Sequence, residues 1–267
     1  MFSPFRKLAL AAMLLSASCF ARPITFCADP QNLPFSTRQQ TGFDNQIAKV
    51  IAAELNMPVT FHWGRMGRGF VRNVVNKGEC DALLGVPVGM RGLLTTAPYY
   101  RSSYMFITRA GDEPIASLDD PRLASLKIGV QVLEDDYAPP ARALSRRGLS
   151  KNVVGFDMDN DPGAIIAAVA NKRVDTAIVW GPLAGYYAKK YGKRLRLTAV
   201  TPEVDPPMLP FTFSMAVGVK KSDPELFHRV DDAVKRAAPK IQAILRQYNV
   251  PQLPLNARSN AQMGALR

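Results

Sequence analysis

Apolar positions recur along this chain in two alternating rhythms. Short runs rich in apolar and β-branched residues, at 24–28, 59–63, 80–86, 127–131, 153–156, 174–180, 195–200 and 211–219, predict strands. The near-continuous apolar run at 80–86 (CDALLGV) is the pattern of a strand buried on both faces. Between the strands the apolar spacing changes to three or four. Phe43, Ile47, Val50, Ile51 and Leu55 mark a helix opened by Asp44 and closed near Asn56 and Pro58, and Phe70, Val71, Val74 and Val75 mark a second one stopped by Gly78. Further helices are predicted over 135–147, over 163–171 with Asp161 as cap and Pro162 in the first turn, over 182–191 and over 224–238. Pro239 is expected to break the last of these, with a helix resuming to about Tyr248.

Strands alternating with helices predict an α/β fold with parallel layers. The pattern restarts after "SLDD", residues 117–120, and closes with a late apolar strand, so two βαβ sets form two lobes joined by crossing strands. In such sheets ligands sit beyond the carboxyl ends of strands. The loops after Ala28, Trp63, Val86, Gln131 and Trp180 are therefore expected around one cleft. In the loop 29–36, Pro30, Asn32 and Pro34 make a rigid turn, and Phe35 either packs inward or walls the cleft. Trp63 and Trp180, the two tryptophans, stand at strand ends and have the same two readings, cleft wall or lobe core.

The first 21 residues change the picture by adding an export signal: Arg6 and Lys7 precede an apolar run at 8–15, and small residues Cys19 and Ala21 precede a cut. No other segment has the length and apolarity to span a membrane, so the mature chain is expected to be soluble and periplasmic. Residues 251–267 show no period and are expected to be a loose tail. Cleavage leaves Cys27 and Cys80 in an oxidising compartment, as a disulfide or as two buried thiols. The formal charge of +12 falls to +10 without Arg6 and Lys7. Its basic residues are spread along the chain, and nucleic acid is not an expected partner outside the cytoplasm. Steering toward an acidic protein or an anionic solute is the reading charge permits.

Enzymatic chemistry finds little footing. The two histidines, His62 and His228, join no cluster with metal-ligand spacing, and no nucleophile elbow, phosphate loop or dinucleotide fingerprint is present. "DMDND", 157–161, matches the first three ligands of a calcium loop. It has Pro162 where that loop needs Gly and Ala168 where it needs Glu, so it reads as a polar turn ending in a helix cap. "EDD", 134–136, reads as a helix start. A hydro-lyase on such a fold needs a buried acid in the cleft, for which Asp29 and Glu134 stand at suitable positions. Neither catalysis nor a cofactor or metal is expected.

The stretches "GFDNQIAKVIAAEL", "NKGECDALLGV", "APYYRSSYMF", "SLDDPRLASLKIGVQ", "DPGAIIAAVANKRVDTAIVWGPLAGYYAKKYG" and "KKSDPELFHRVDDAV" occur in an order that resembles the type II periplasmic solute-binding proteins of amino-acid uptake. The resemblance covers nearly the whole mature chain. It implies a two-lobed Venus-flytrap fold with lobe 1 at 22–107 and 211–250, lobe 2 at 108–210, and hinge strands at 104–108 and 211–215. It also makes the strands carrying Cys27 and Cys80 neighbours, as a disulfide requires. Amino-acid binders of this family carry Thr-Pro-Glu-Arg after the third strand and an acidic residue in the second lobe. Here Arg91 lies near the first place, outside the motif, and Trp180 stands at the second. An α-amino acid needs both clamps, so none is the expected ligand.

"CADPQNLPFS", "GRGFVRN", "GECDALLGVP" and "TTAPYYRSSYMF" resemble a narrower branch, the quinoprotein-dehydrogenase-associated binding proteins of MxaJ/XoxJ type. That resemblance implies a non-catalytic accessory factor whose partners are a PQQ-dependent alcohol dehydrogenase and its cytochrome c. The alternative is a receptor that hands an anionic or aromatic solute to an ABC permease. The residues expected to bind ligand or partner are Phe35, Trp63, Pro87 and Trp180 around the cleft, with Arg65, Arg68, Arg91 and Arg101 near its rim.

Overall fold

A computed structural model describes residues 22–67, 69–133 and 136–255. The expected signal, Arg68, Glu134 and the tail beyond residue 255 lie outside the described residues.

One mixed sheet runs through the whole molecule. Its main strands follow the order Val153–Asp157, Ile128–Leu133, Thr176–Trp180, Tyr100–Arg109, Thr212–Lys220, Ala82–Pro87, Ile24–Ala28, Val59–Trp63. Ile24–Ala28 pairs in parallel with both Val59–Trp63 and Ala82–Pro87, and Ile128–Leu133 does the same with Val153–Asp157 and Thr176–Trp180. These are the two βαβ sets. They meet through the two long strands Tyr100–Arg109 and Thr212–Lys220, which pair antiparallel from Ser103 against Thr212 to Tyr100 against Met215. The fold is the two-lobed Venus flytrap with two crossing strands.

Each lobe buries its own core. Ile24, Phe26, Phe43, Ile47 and Ile51 pack with the inner face of the C-terminal helix on one side of the crossing, and Phe106, Ile128, Val130, Leu144 and Phe211 pack on the other. The disulfide forms: Cys27 and Cys80 are bonded with Cα atoms 5.4 Å apart, among Val75, Leu83, Val86 and Leu93.

Pro239 does not break the last helix, which runs unbroken over Pro224–Gln247. Its apolar stripe, Leu226, Val230, Ala233, Val234, Ala237, Ile241 and Leu245, is buried on both sides of the proline, and Pro239 faces solvent. An interior proline costs about 3 kcal/mol; burying Ile241 and Leu245 is worth about 1.5–3 kcal/mol each, enough to offset it. The helix predicted over 135–147 shrinks to Pro139–Arg146. A residue before proline is pushed away from helical angles, and Ala138 accordingly has ψ 157° ahead of the Pro139-Pro140 pair. Residues Asp136–Tyr137 pair with Ile128–Leu133 instead. The stripe beginning at Phe70 forms a single wide π turn, Val71–Val75, in which Asn76 N donates to Val71 O at 2.9 Å.

Beyond the crossing strands, the lobes also meet along the end of the C-terminal helix. Tyr248 stacks on Tyr186 with centroids 6.0 Å apart, Lys189 Nζ donates to Gln247 O at 3.0 Å, and Asn249 Nδ2 donates to Gly185 O at 2.8 Å. The contact is close enough to demand glycine: a Cβ on Gly185 would lie 1.9 Å from Asn249 O. The chain then runs back along the crossing, where Ser102 Oγ donates to Pro251 O at 2.7 Å and Leu253 N to Arg101 O at 2.9 Å.

Candidate functional site

The carboxyl ends of the strands surround two adjoining cavities. The first, about 780 Å³, lies between the lobes. The second, about 790 Å³, opens beside it under the Val71–Val75 turn of the first lobe. Phe35, Pro87, Trp180, Met66, Gly85 and Met215 line both.

Trp180 is the last residue of its strand. Its backbone N donates to Gln131 Oε1 at 2.7 Å, from a carboxamide that is only 3% exposed and itself lines the inter-lobe cavity. The indole then meets Tyr104 at 5.5 Å and Phe213 at 5.6 Å between centroids. Tyr104 and Phe213 belong to the two crossing strands, so the aromatic wall stands on the hinge itself. Phe35 is held by its loop: Ser36 Oγ donates to Asp29 O at 2.8 Å, Phe35 N to Asn32 O at 2.8 Å, and the ring packs 5.2 Å from Phe43. A polar turn thus presents one aromatic face to the cavity.

The other expected site residues divide. Arg65 lines the inter-lobe cavity and pairs across it with Asp159, joining the lips of the two lobes. Arg91 lines the side cavity. Trp63 lines neither: on the edge strand it stacks on Phe61 at 5.2 Å, with Arg38 over its outer face at 5.7 Å. Arg101 is buried within the crossing and pairs with Glu203 at 2.5 Å, so it has no place at the rim. Both departures follow from strand alternation, which turns a residue next to a cleft toward it or away from it. Arg68 lies outside the described residues.

The acids settle differently from the sequence pattern. Asp29 is consumed by its loop, accepting from Gln31 N at 2.9 Å and Met66 N at 3.3 Å. Asp157 and Asp161 likewise accept from nearby turn donors, and Asp159 goes to Arg65. Among the described residues no group of three or more His, Cys, Asp or Glu side chains is placed to hold a metal. The buried acid beside the cavities is Asp44, which sequence reasoning used only as a helix starter. It lines the side cavity, is 8% exposed, and its Oδ1 has no hydrogen-bond partner among the described residues. Burial pushes its carboxyl up to about 8. A spare cap in the sequence was the available signal, because Asn45 one residue later does the capping: its Oδ1 accepts from Gly42 N at 3.2 Å and Thr37 N at 3.0 Å.

Two α/β lobes, a two-strand crossing and a cleft at the carboxyl ends of the parallel strands define a periplasmic-type binding protein. The chain belongs to the bacterial extracellular solute-binding proteins, family 3, whose family model matches residues 24–251. Within that class it is 31% identical over 255 residues to Protein MoxJ of Methylorubrum extorquens, covering 88% of this chain and 83% of that one. Its structure superposes on the crystal structure of MxaJ from Methlophaga aminisulfidivorans MPT with a TM-score of 0.77 at 26% identity, covering 86% of this chain and 100% of the other. The crystal structure of the periplasmic binding protein XoxJ from Methylobacterium extorquens AM1 gives 0.70 at 32% identity, with 86% and 99% covered.

Proposed function

We propose that this chain is a non-catalytic periplasmic accessory factor of a PQQ-dependent alcohol dehydrogenase, and that its cleft receives a segment of the dehydrogenase. The observation that carries this reading is the composition of the cleft. Trp180, Tyr104, Phe213, Phe35 and Pro87 wall the space between the lobes, and by the resemblance to amino-acid receptors Trp180 takes the place of their acidic clamp. Aromatic walls of this kind anchor protein segments, and an apolar, hinge-mounted surface is poorly matched to a small zwitterion. Likeness to MoxJ, MxaJ and XoxJ over most of the chain supports the same reading. The excess of positive charge, formally +12 in the full chain and +10 without Arg6 and Lys7, speeds encounter with an acidic partner and makes that encounter salt-dependent.

The test is interferometry against the apo-dehydrogenase at two salt concentrations, with Trp180→Ala and Arg91→Ala variants. Expected are weaker binding at higher salt and at least about a tenfold loss of affinity for Trp180→Ala, as for a hot-spot aromatic. Salt-independent binding that neither substitution changes would place the docking site elsewhere. No dehydrogenase binding, together with tight capture of a small solute, would make the chain a transport receptor.

A further inference from the structure

The side cavity has a floor unlike its walls. Phe35, Phe70, Leu83, Met90 and Met215 make the walls apolar, and Asp44 forms the floor. No described cation pairs with Asp44, and its helix does not need it as a cap, since Asn45 supplies that contact. Close by, the Tyr99 hydroxyl accepts from Gly85 N at 2.9 Å, and the Tyr100 hydroxyl is buried without a partner. Burial first, and Asp44 second, push both phenols well above their ordinary range, so the floor resists negative charge. With its carboxyl pushed up to about 8, Asp44 at neutral pH offers an O–H and a carbonyl oxygen instead. Access is kept by Gly85, at φ +67°, where a Cβ would stand 3.4 Å from Asp44 Oδ2. Arg72 and Arg91 line the same cavity, which disfavours a cationic guest.

We propose that this cavity is a specificity pocket for one neutral, largely apolar group ending in a hydroxyl or N–H, a phenol or an indole, with Asp44 as its hydrogen-bond anchor. The proposal rests on reading the cleft as a binding site and narrows what that cleft admits. The group has two sources, the tyrosine or tryptophan side chain of an inserted protein segment or a free phenolic solute.

Methyl-¹³C methionine spectra of the mature chain read the pocket directly, because Met90 lines the side cavity alone and Met158 lines the inter-lobe cavity alone. Titration with p-cresol should move the Met90 methyl and leave Met158 in place, with an affinity about tenfold above that of toluene, the worth of one buried hydrogen bond. Asp44→Leu should abolish the preference for p-cresol, and Val71→Trp, which narrows the cavity and keeps the Met90 reporter, should abolish binding of both. A capped Ala-Tyr-Ala peptide binding at least as well as p-cresol assigns the pocket to a protein segment; p-cresol binding without the peptide assigns it to a free solute. Equal affinity for toluene, a preference that survives Asp44→Leu, or shifts at Met158 in place of Met90 overturn the proposal. The dehydrogenase titration, run on the same variants, keeps the two readings apart. Loss of wild-type dehydrogenase binding sinks the accessory role, whereas intact dehydrogenase binding with no preference for p-cresol sinks only the pocket.

Discussion

Asp205 in one lobe and Asp44 in the other are both buried aspartates, and the two are treated in opposite ways. Asp205, with a side chain 2% exposed, takes Arg147 at 2.6 Å and Arg146 at 3.4 Å. These contacts tie the Pro139–Arg146 helix to the Val204–Asp205 hairpin, and Arg147 goes on to Asp119 at 2.8 Å. Asp44 meets no cation among the described residues and faces a cavity. A buried carboxyl joined to two guanidinium groups is architecture. One left without a partner beside open space costs stability that a packed apolar residue would not, which is the usual mark of a position kept for binding.

The comparison can be broken most directly by titration. Unfolded, Asp44 releases its proton near 3.8; folded, it holds the proton up to about 8. Between those values the folded state binds more protons, so wild-type stability should fall as pH rises through this window, by up to about 1.4 kcal/mol per pH unit relative to Asp44→Leu. Paired urea melts at pH 5 and pH 8 check this, and parallel curves for the two proteins would mean that Asp44 is ionised and solvated. Next in size is the staple that the first lobe has and the second lacks. Opening Cys27–Cys80, which closes a separation of 53 residues, by a double Ser substitution should cost about 4 kcal/mol of unfolding free energy on chain-entropy grounds. Asp205→Asn should cost about 2 kcal/mol, less than a fully dry pair because Arg146 is partly exposed, with no effect on p-cresol binding. Smallest is the bridge across the lips. Arg65 and Asp159 are 62% and 48% exposed, so Arg65→Ala should change the melting free energy by less than about 0.5 kcal/mol.

Apolar rhythm carried most of the fold, because buried strands and striped helices are local patterns. It failed where a local rule met a tertiary one. Pro239 is a breaker by propensity, yet the stripe through Ile241 and Leu245 keeps the helix intact. The placing of Trp180, Phe35 and Pro87 on the inter-lobe cavity was legible because strand ends in parallel sheets converge on one cleft. Trp63 and Arg101 occupy equally suggestive places in the chain and point elsewhere, since the side a residue faces depends on register and twist. Asp44 was hidden by its commonness: an acid in the first turn of a helix is ordinary, and only the burial of its side chain beside a cavity sets it apart.

The meeting of Asn249 with Gly185 has a mechanical meaning. Two adjacent strands alone behave as a leaf spring, free to bend and also to twist. A third bearing point, away from the strands and packed so closely that no methyl group fits, adds a constraint the strands do not supply. Any turning of one lobe against the other must carry this contact with it or break it. The aromatic wall stands on the crossing strands themselves. A guest lodged against Tyr104 and Phe213 would therefore touch both of the strands that join the lobes.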